Sequence, residues 1–200
     1  VRSCRLCYRF RNTGKPVYPA QGSYLRIQRW LVGSLLGGKR DYYGVELDYR
    51  RYISKRSKWV LTMRTKLGRI DRLTYQSDEI PPLELFYLGG STSMRGWRDG
   101  LYSASGNITE GGVIKLLVNC ELRIPLKGII GVNFFADGGI LAVDSSDFED
   151  QWNEWFNGQG WDVGLELSIA TPLGPVRISY AVPLTLPEEP HFSLGLMNAF

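Results

Sequence analysis

Across residues 113–124 the chain alternates strictly. Ile114, Leu116, Val118, Cys120, Leu122 and Ile124 fall on one side, and Lys115, Leu117, Asn119, Glu121 and Arg123 on the other. A period of two belongs to a β-strand, whose successive side chains point to opposite faces; a helix would scatter these residues around its circumference. The pattern recurs. Tyr43, Val45, Leu47 and Tyr49 oppose Gly44, Glu46, Asp48 and Arg50; Trp59, Leu61, Met63 and Leu67 oppose Thr62, Arg64, Lys66 and Gly68. Further on, Ile130, Val132, Phe134 and Ala136 oppose Gly131, Asn133, Phe135 and Asp137, while Val163, Leu165, Leu167 and Ile169 oppose Asp162, Gly164, Glu166 and Ser168. Val176, Ile178 and Tyr180 stand against Arg177 and Ser179. With an earlier strand over 23–30 and a last one over 191–200, this predicts an all-β antiparallel fold of about eight strands and no helix.

The charged side decides which face is wet. Glu46, Asp48, Arg64, Lys66, Lys115, Glu121, Arg123, Asp137, Asp162, Glu166 and Arg177 are too many to bury in a soluble core without pairing. Short turns at 54–57, 125–128 and 171–175 alternate with mostly long connections, and Tyr43, Tyr49, Trp59, Trp161, Phe192 and Phe200 lie near strand ends. Apolar outside, polar inside, short turns at one rim, long loops at the other and an aromatic girdle describe a transmembrane barrel of an outer membrane. The competing fold is a soluble antiparallel sandwich with one wet face, which accounts for the alternation equally well. No apolar run reaches the roughly 20 residues of a membrane-spanning helix. The net charge of +4 is not gathered into lysine blocks, which argues against nucleic-acid binding.

Between the strands, residues 1–21 read as an irregular lead-in, 71–111 as a long loop around which the sheet closes, and 140–160 as an acidic extracellular loop. The long loop carries Gly89-Gly90-Ser91-Thr92-Ser93-Met94-Arg95-Gly96-Trp97, which concentrates glycine, arginine and a large aromatic without strand periodicity. Cys4 and Cys7 form a lone C-x-x-C and read as incidental thiols; Cys120 reads as a small hydrophobe. His191 has no Ser or Cys motif around it, and the acidic run Asp144, Asp147, Glu149, Asp150 and Glu154 lacks the spacing of a calcium loop. The expectation is therefore no catalytic residue, no metal and no cofactor. No signal peptide is visible after Val1, so the reading is of a processed chain or a fragment.

These residues resemble the C-terminal barrel of the BamA/TamA-type outer-membrane assembly and translocation family (bacterial surface antigen family), over about residues 22–200. The resemblance rests on Gly89-Gly90 followed by Arg95-Gly96-Trp97, on Glu121 shortly before Pro125, and on Phe135-Ala136-Asp137-Gly138-Gly139. It rests also on Thr171-Pro172-Leu173-Gly174-Pro175 and a last strand ending in Phe200, all in the family's order. It implies that the long loop folds back so that Arg95 meets the wall carboxylates Glu121 and Asp137, which the alternation places inward on neighbouring strands. It implies further that Phe192, Leu194, Leu196 and Phe200 form a recognition strand at a lateral seam. The implied partners are the lipid bilayer, unfolded outer-membrane or secreted client proteins, and periplasmic accessory proteins. The implied location is the outer membrane of a diderm bacterium. Family barrels have about sixteen strands, so the chain corresponds to the C-terminal half, without periplasmic domains. A two-partner-secretion transporter and the barrel of a surface phospholipase fusion share these motifs, and a passive pore is the remaining alternative. Trp97 stands where the family more often has Phe or Tyr, Asn198 interrupts the last apolar face and Arg29 the first.

Overall fold

The computed structural model describes residues 2–14, 19–33, 40–54, 59–73, 79–102, 111–172, 174–184 and 189–196. They form one sheet of nine antiparallel strands, each hydrogen-bonded to the next in chain order. The strands are β1 (Ser3–Thr13), β2 (Gly22–Val32), β3 (Tyr42–Ile53), β4 (Val60–Arg72), β5 (Ile114–Pro125), β6 (Ile130–Ala142), β7 (Trp161–Thr171), β8 (Gly174–Pro183) and β9 (His191–Leu196). Among the described residues β1 and β9 are each paired on one side only.

Exposure settles the choice between barrel and sandwich. The apolar side of the strands is the open one: Leu6, Phe134, Leu165, Phe192, Leu194 and Leu196 all lie exposed, and Leu196 is 73% exposed. The charged side is the covered one, with Asp48, Glu121, Asp137, Asp162, Glu166 and Arg177 all buried. A soluble sandwich would reverse these faces, whereas a strand wall between lipid and a filled interior requires them. The fold is that of an outer-membrane barrel wall.

Several charges of the inner face are held by pairing along and across the strands. Arg50 and Arg64 stand directly opposite each other in the β3–β4 register, a placement that repels unless an anion intervenes. Asp48 is that anion: its carboxylate accepts from Arg50 Nε at 3.0 Å and from Arg64 Nε at 3.1 Å. Glu46 accepts from Lys115 Nζ at 2.7 Å across two ladders.

Two sequence expectations require correction. Residues 1–21 are not an irregular lead-in, because Ser3–Thr13 pairs with β2 from Ser3↔Val32 to Thr13↔Gly22, giving nine strands rather than about eight. Leu6, Tyr8 and Phe10 alternate there with Arg5, Cys7, Arg9 and Arg11, a period of two overlaid by basic residues. Cys4 and Cys7, three apart on a strand, point to opposite faces. The acidic stretch 140–160 is not all loop either: β6 runs on to Ala142, and Ser145–Trp155 forms helix α1. Asp144 caps it, its side chain accepting from Asp147 N at 2.9 Å. Phe148, Trp152, Trp155 and Phe156 recur at helical spacing among the acids, and that period was the missed signal.

Candidate functional site

The connection between β4 and β5 folds back across the inner face of the sheet. It opens on a single 3-10 turn, Pro82–Glu84, and is pinned to the start of β5 by the bridge Phe86↔Gly112. Gly89 and Gly90 then adopt φ of 108° and 91°, a region open to glycine and strained for other residues. They reverse the chain into a compact tip, in which Gly90 N donates to Trp97 O at 2.9 Å and Gly89 N to Ser93 Oγ at 2.9 Å.

Arg95 projects from this tip and is 1% exposed. Its Nε and Nη2 fork onto the two oxygens of Asp137, at 2.8 and 2.9 Å. Nη1 donates to Glu121 at 2.8 Å and to Glu166 at 3.3 Å. The guanidinium also lies 3.5 Å over the Phe135 ring centroid. A planar fork suits two carboxylate oxygens and an aromatic face together, which an ammonium group does not. The carboxylates have further partners: Arg123 Nε donates to Glu121 at 2.6 Å, and Arg177 Nη1 and Ser179 Oγ donate to Glu166 at 2.9 and 2.8 Å. Three arginines thus face three carboxylates from β5, β6 and β7, which is the condition under which buried charge is tolerated.

The wall also grips the backbone of the tip. Asn119 Nδ2 donates to Ser93 O at 2.7 Å, Arg64 Nη1 to Thr92 O at 3.1 Å, and Arg177 Nη2 to Ser91 O at 3.4 Å. Three successive carbonyls that the tight turn leaves without ladder partners are therefore bonded by three different strands. Gly96 is needed for closeness, since an added Cβ would lie 2.7 Å from Cβ of Asp162. Trp97 is buried and meets Tyr102 edge to face at 5.0 Å, within an apolar cluster that includes Val32, Tyr42, Ile70, Phe86, Leu88 and Met94.

The structure thus brings Arg95 together with Glu121 and Asp137, with Gly89, Gly90, Gly96 and Trp97 shaping the tip. Sequence reasoning missed Glu166 as a third carboxylate and missed Arg64, Asn119 and Arg177 as donors to the turn. All four lie on the polar side of their strands, so the signal was the shared face; their convergence on one tip depends on sheet curvature. Phe192, Leu194 and Leu196 stand apart from this cluster, exposed on the outer face of β9, and Phe200 lies outside the described residues. Opposite them, Gly195 faces inward, where an added Cβ would meet Arg177 Nη2 at 2.6 Å.

The chain matches known proteins along nearly its whole length. A family model for the Omp85 superfamily domain covers residues 3–197. The chain belongs to the Omp85 superfamily. Among Omp85-type relatives it is 28% identical over 172 residues to the outer membrane protein assembly factor BamA of Nitratidesulfovibrio vulgaris, covering 83% of this chain and 21% of that protein. It is 25% identical to BamA of Neisseria meningitidis, covering 88% and 26%, and 30% identical over 117 residues to the chloroplastic outer envelope protein 80 of Arabidopsis thaliana, covering 58% and 15%. The crystal structure of BamA from Haemophilus ducreyi lacking POTRA domains 1–3 superposes with a TM-score of 0.74 at 20% identity, over 96% of this chain and 41% of that one. The chain therefore spans about a quarter or less of these curated relatives, and its wall is part of an outer-membrane Omp85 barrel.

Tyr102 ties the end of the loop to β6 by donating from its hydroxyl to Gly139 O at 2.8 Å. Burial, reinforced by Glu154 and Asp147, raises the pKa of this hydroxyl, so it remains a donor. Tyr102→Phe keeps the ring against Trp97 and removes one buried hydrogen bond. It is expected to weaken loop docking by about 1 kcal/mol, read as modestly faster protease cleavage within the loop.

Proposed function

We propose that this chain is the part of an Omp85 barrel that helps insert outer-membrane proteins or translocate proteins, with the Arg95 tip as the fixed internal element and β9 as one side of a lateral seam. The observation that carries this reading is the arginine tip itself: a charged loop sequestered under the wall by three carboxylates and three turn-bonding donors. A passive pore selects solutes with charges that face its lumen, whereas Arg95 is 1% exposed and spends its charge on the wall. A machine whose work is done at its wall benefits from a rigid interior that braces β5, β6 and β7 while β9 stays available. Two facts support the seam. β9 pairs with β8 over six described residues, from Val176↔Leu196 to Ala181↔His191, and its inward glycine leaves room for the Arg177 guanidinium. The relatives that carry the name of assembly factor agree with this reading.

In this role the residues act by position. Arg95 and its carboxylates lock the loop, Gly89, Gly90 and Gly96 let it approach, and Phe192, Leu194 and Leu196 present an apolar edge to lipid or to an incoming strand. Unfolded barrel proteins, presented from the periplasmic side, are the clients. The test is reconstitution of the full-length protein into vesicles, followed by addition of a urea-unfolded outer-membrane barrel whose folding is read by its heat-modifiable mobility. Accelerated client folding supports the assignment. Solute flux without any acceleration would leave a passive pore.

A further inference from the structure

The geometry points to helix α1 as a membrane-surface foot that seats its aromatic face in the headgroup zone of the outer leaflet. Its placement is built rather than incidental. β6 pairs with β7 as far as Gly138↔Trp161, with one further bond from Gly139 N to Gly160 O at 2.9 Å, so that residues 140–142 rise above β7 and leave an edge beyond its ladder. Gln151 fills that edge: Leu141 N donates to its Oε1 at 3.3 Å, and its Nε2 donates to Leu141 O at 2.9 Å. One helix side is thereby clamped to the rim. Asp144 and Asp147 are consumed in capping, Asp147 accepting from Val143 N at 2.9 Å and from Gln151 Nε2 at 2.9 Å.

The flank beside Gln151 carries a run of rings, with Phe148 three residues before it and Trp155 four after it. Phe148 stacks on Trp152 at 5.9 Å, Trp152 on Trp155 at 5.8 Å, and Trp155 on Trp161 at 4.6 Å. Trp161 Nε1 also donates to Trp155 O at 3.1 Å. Trp161 belongs to the outer, apolar side of β7 with Val163 and Leu165, and its ring lies over Gly138, where an added Cβ would sit 2.7 Å away. The stack therefore continues the lipid-facing surface of the wall upward onto the helix. Beneath it the outer face closes: Phe134 is 49% exposed, Ile140 only 1%. Trp152 and Phe156 stay open, Phe156 at 68%.

This rim is the one with long connections, which in outer-membrane barrels faces the exterior. Indole and phenyl rings at the edge of a hydrocarbon band are drawn to the headgroup level, and an amphipathic helix there lies flat with its rings down. A lipid surface is the occupant because the exposed rings are continuous with the band that lipid already covers. Asp150 and Glu154 are exposed on the side of the helix away from Trp152 and Phe156, and Glu149, three residues before Trp152, borders the ring face.

The experiment places nitroxides on cysteines introduced as Trp152→Cys, Phe156→Cys and Asp150→Cys in the full-length protein, with Cys4, Cys7 and Cys120 changed to serine, in phosphatidylcholine vesicles. Relaxation by oxygen and by a water-soluble nickel chelate gives depth. Positions 152 and 156 should be favoured by oxygen and shielded from nickel, with position 150 the reverse. Equal nickel access at all three would place the helix in water and overturn the inference. Shielding of 152 and 156 from both agents would overturn it in favour of a covering protein. Should the cysteine variants misfold, the native protein in vesicles of dibrominated phosphatidylcholine provides the second reading. Bromine quenching should fall when Trp152→Phe removes an interfacial indole, and an unchanged quenched fraction would sink the idea.

Discussion

Arg95→Ala is expected to cost most of the assembly or secretion activity while the barrel remains inserted. The substitution removes a bidentate fork from Asp137, a 2.8 Å contact from Glu121 and the longer one from Glu166. Arg123 and Arg177 still serve Glu121 and Glu166, so the sharpest loss is at Asp137, which keeps Asn119 Nδ2 at 2.8 Å but has no guanidinium. Removing one partner of a buried ion pair costs about 3 to 5 kcal/mol. That lowers the ratio of docked to free loop by more than about a hundredfold, since about 1.4 kcal/mol is a factor of ten. The strand ladders do not involve Arg95, so heat-modifiable mobility should stay native. Protease should meanwhile gain access to residues 91–97, and client folding should slow in step. Arg95→Lys should fall between the two, because one ammonium cannot span both oxygens of Asp137 and the Glu121 carboxylate. Full activity in the alanine variant would remove the loop from the mechanism.

Gly89→Val should reproduce that phenotype without touching a charge. At φ of 108° a β-branched residue is strained by about 1 to 3 kcal/mol. Its Cβ would also lie 2.2 Å from Arg98 O, a backbone atom that cannot swing aside. The tip must open, and with it go the Gly89 to Ser93 and Gly90 to Trp97 bonds that aim Arg95. The two substitutions act on one event, so the double variant should be no worse than the more severe single one. Additive losses would mean that Gly89 serves something other than the placement of Arg95. Wild-type protease resistance in Gly89→Val would show that the tip is held by the wall alone.

Much of the wall was legible in the chain. On β7 the period of two is uninterrupted and on β5 only Leu117 breaks the polar side, so the inward charges and outward hydrophobes could be assigned before any pairing was known, and Glu121 and Asp137 fell on one face of neighbouring strands. The signal failed where two periods overlapped. In Ser3–Thr13 four inward basic or thiol side chains resembled a polar tail, although Leu6, Tyr8 and Phe10 marked the other face. In Ser145–Trp155 the acids hid three aromatic residues at helical spacing, with Phe156 just beyond. Both elements owe their form to neighbours: β1 to the ladder it shares with β2, and α1 to the edge of β6 that Gln151 completes.

What the sequence by itself determined is the strand period, the sign of each face and the chemistry of the tip, because these follow from the local backbone geometry of each residue and its immediate neighbours. What only the tertiary structure decided is convergence. Glu166 lies 71 residues from Arg95 and Arg64 28 residues from Thr92, and their meeting depends on how β3 to β8 curve around a loop that folds inward. Curvature arises from the summed twist of many paired strands and from the volume of the loop they enclose. No single stretch of the chain encodes it.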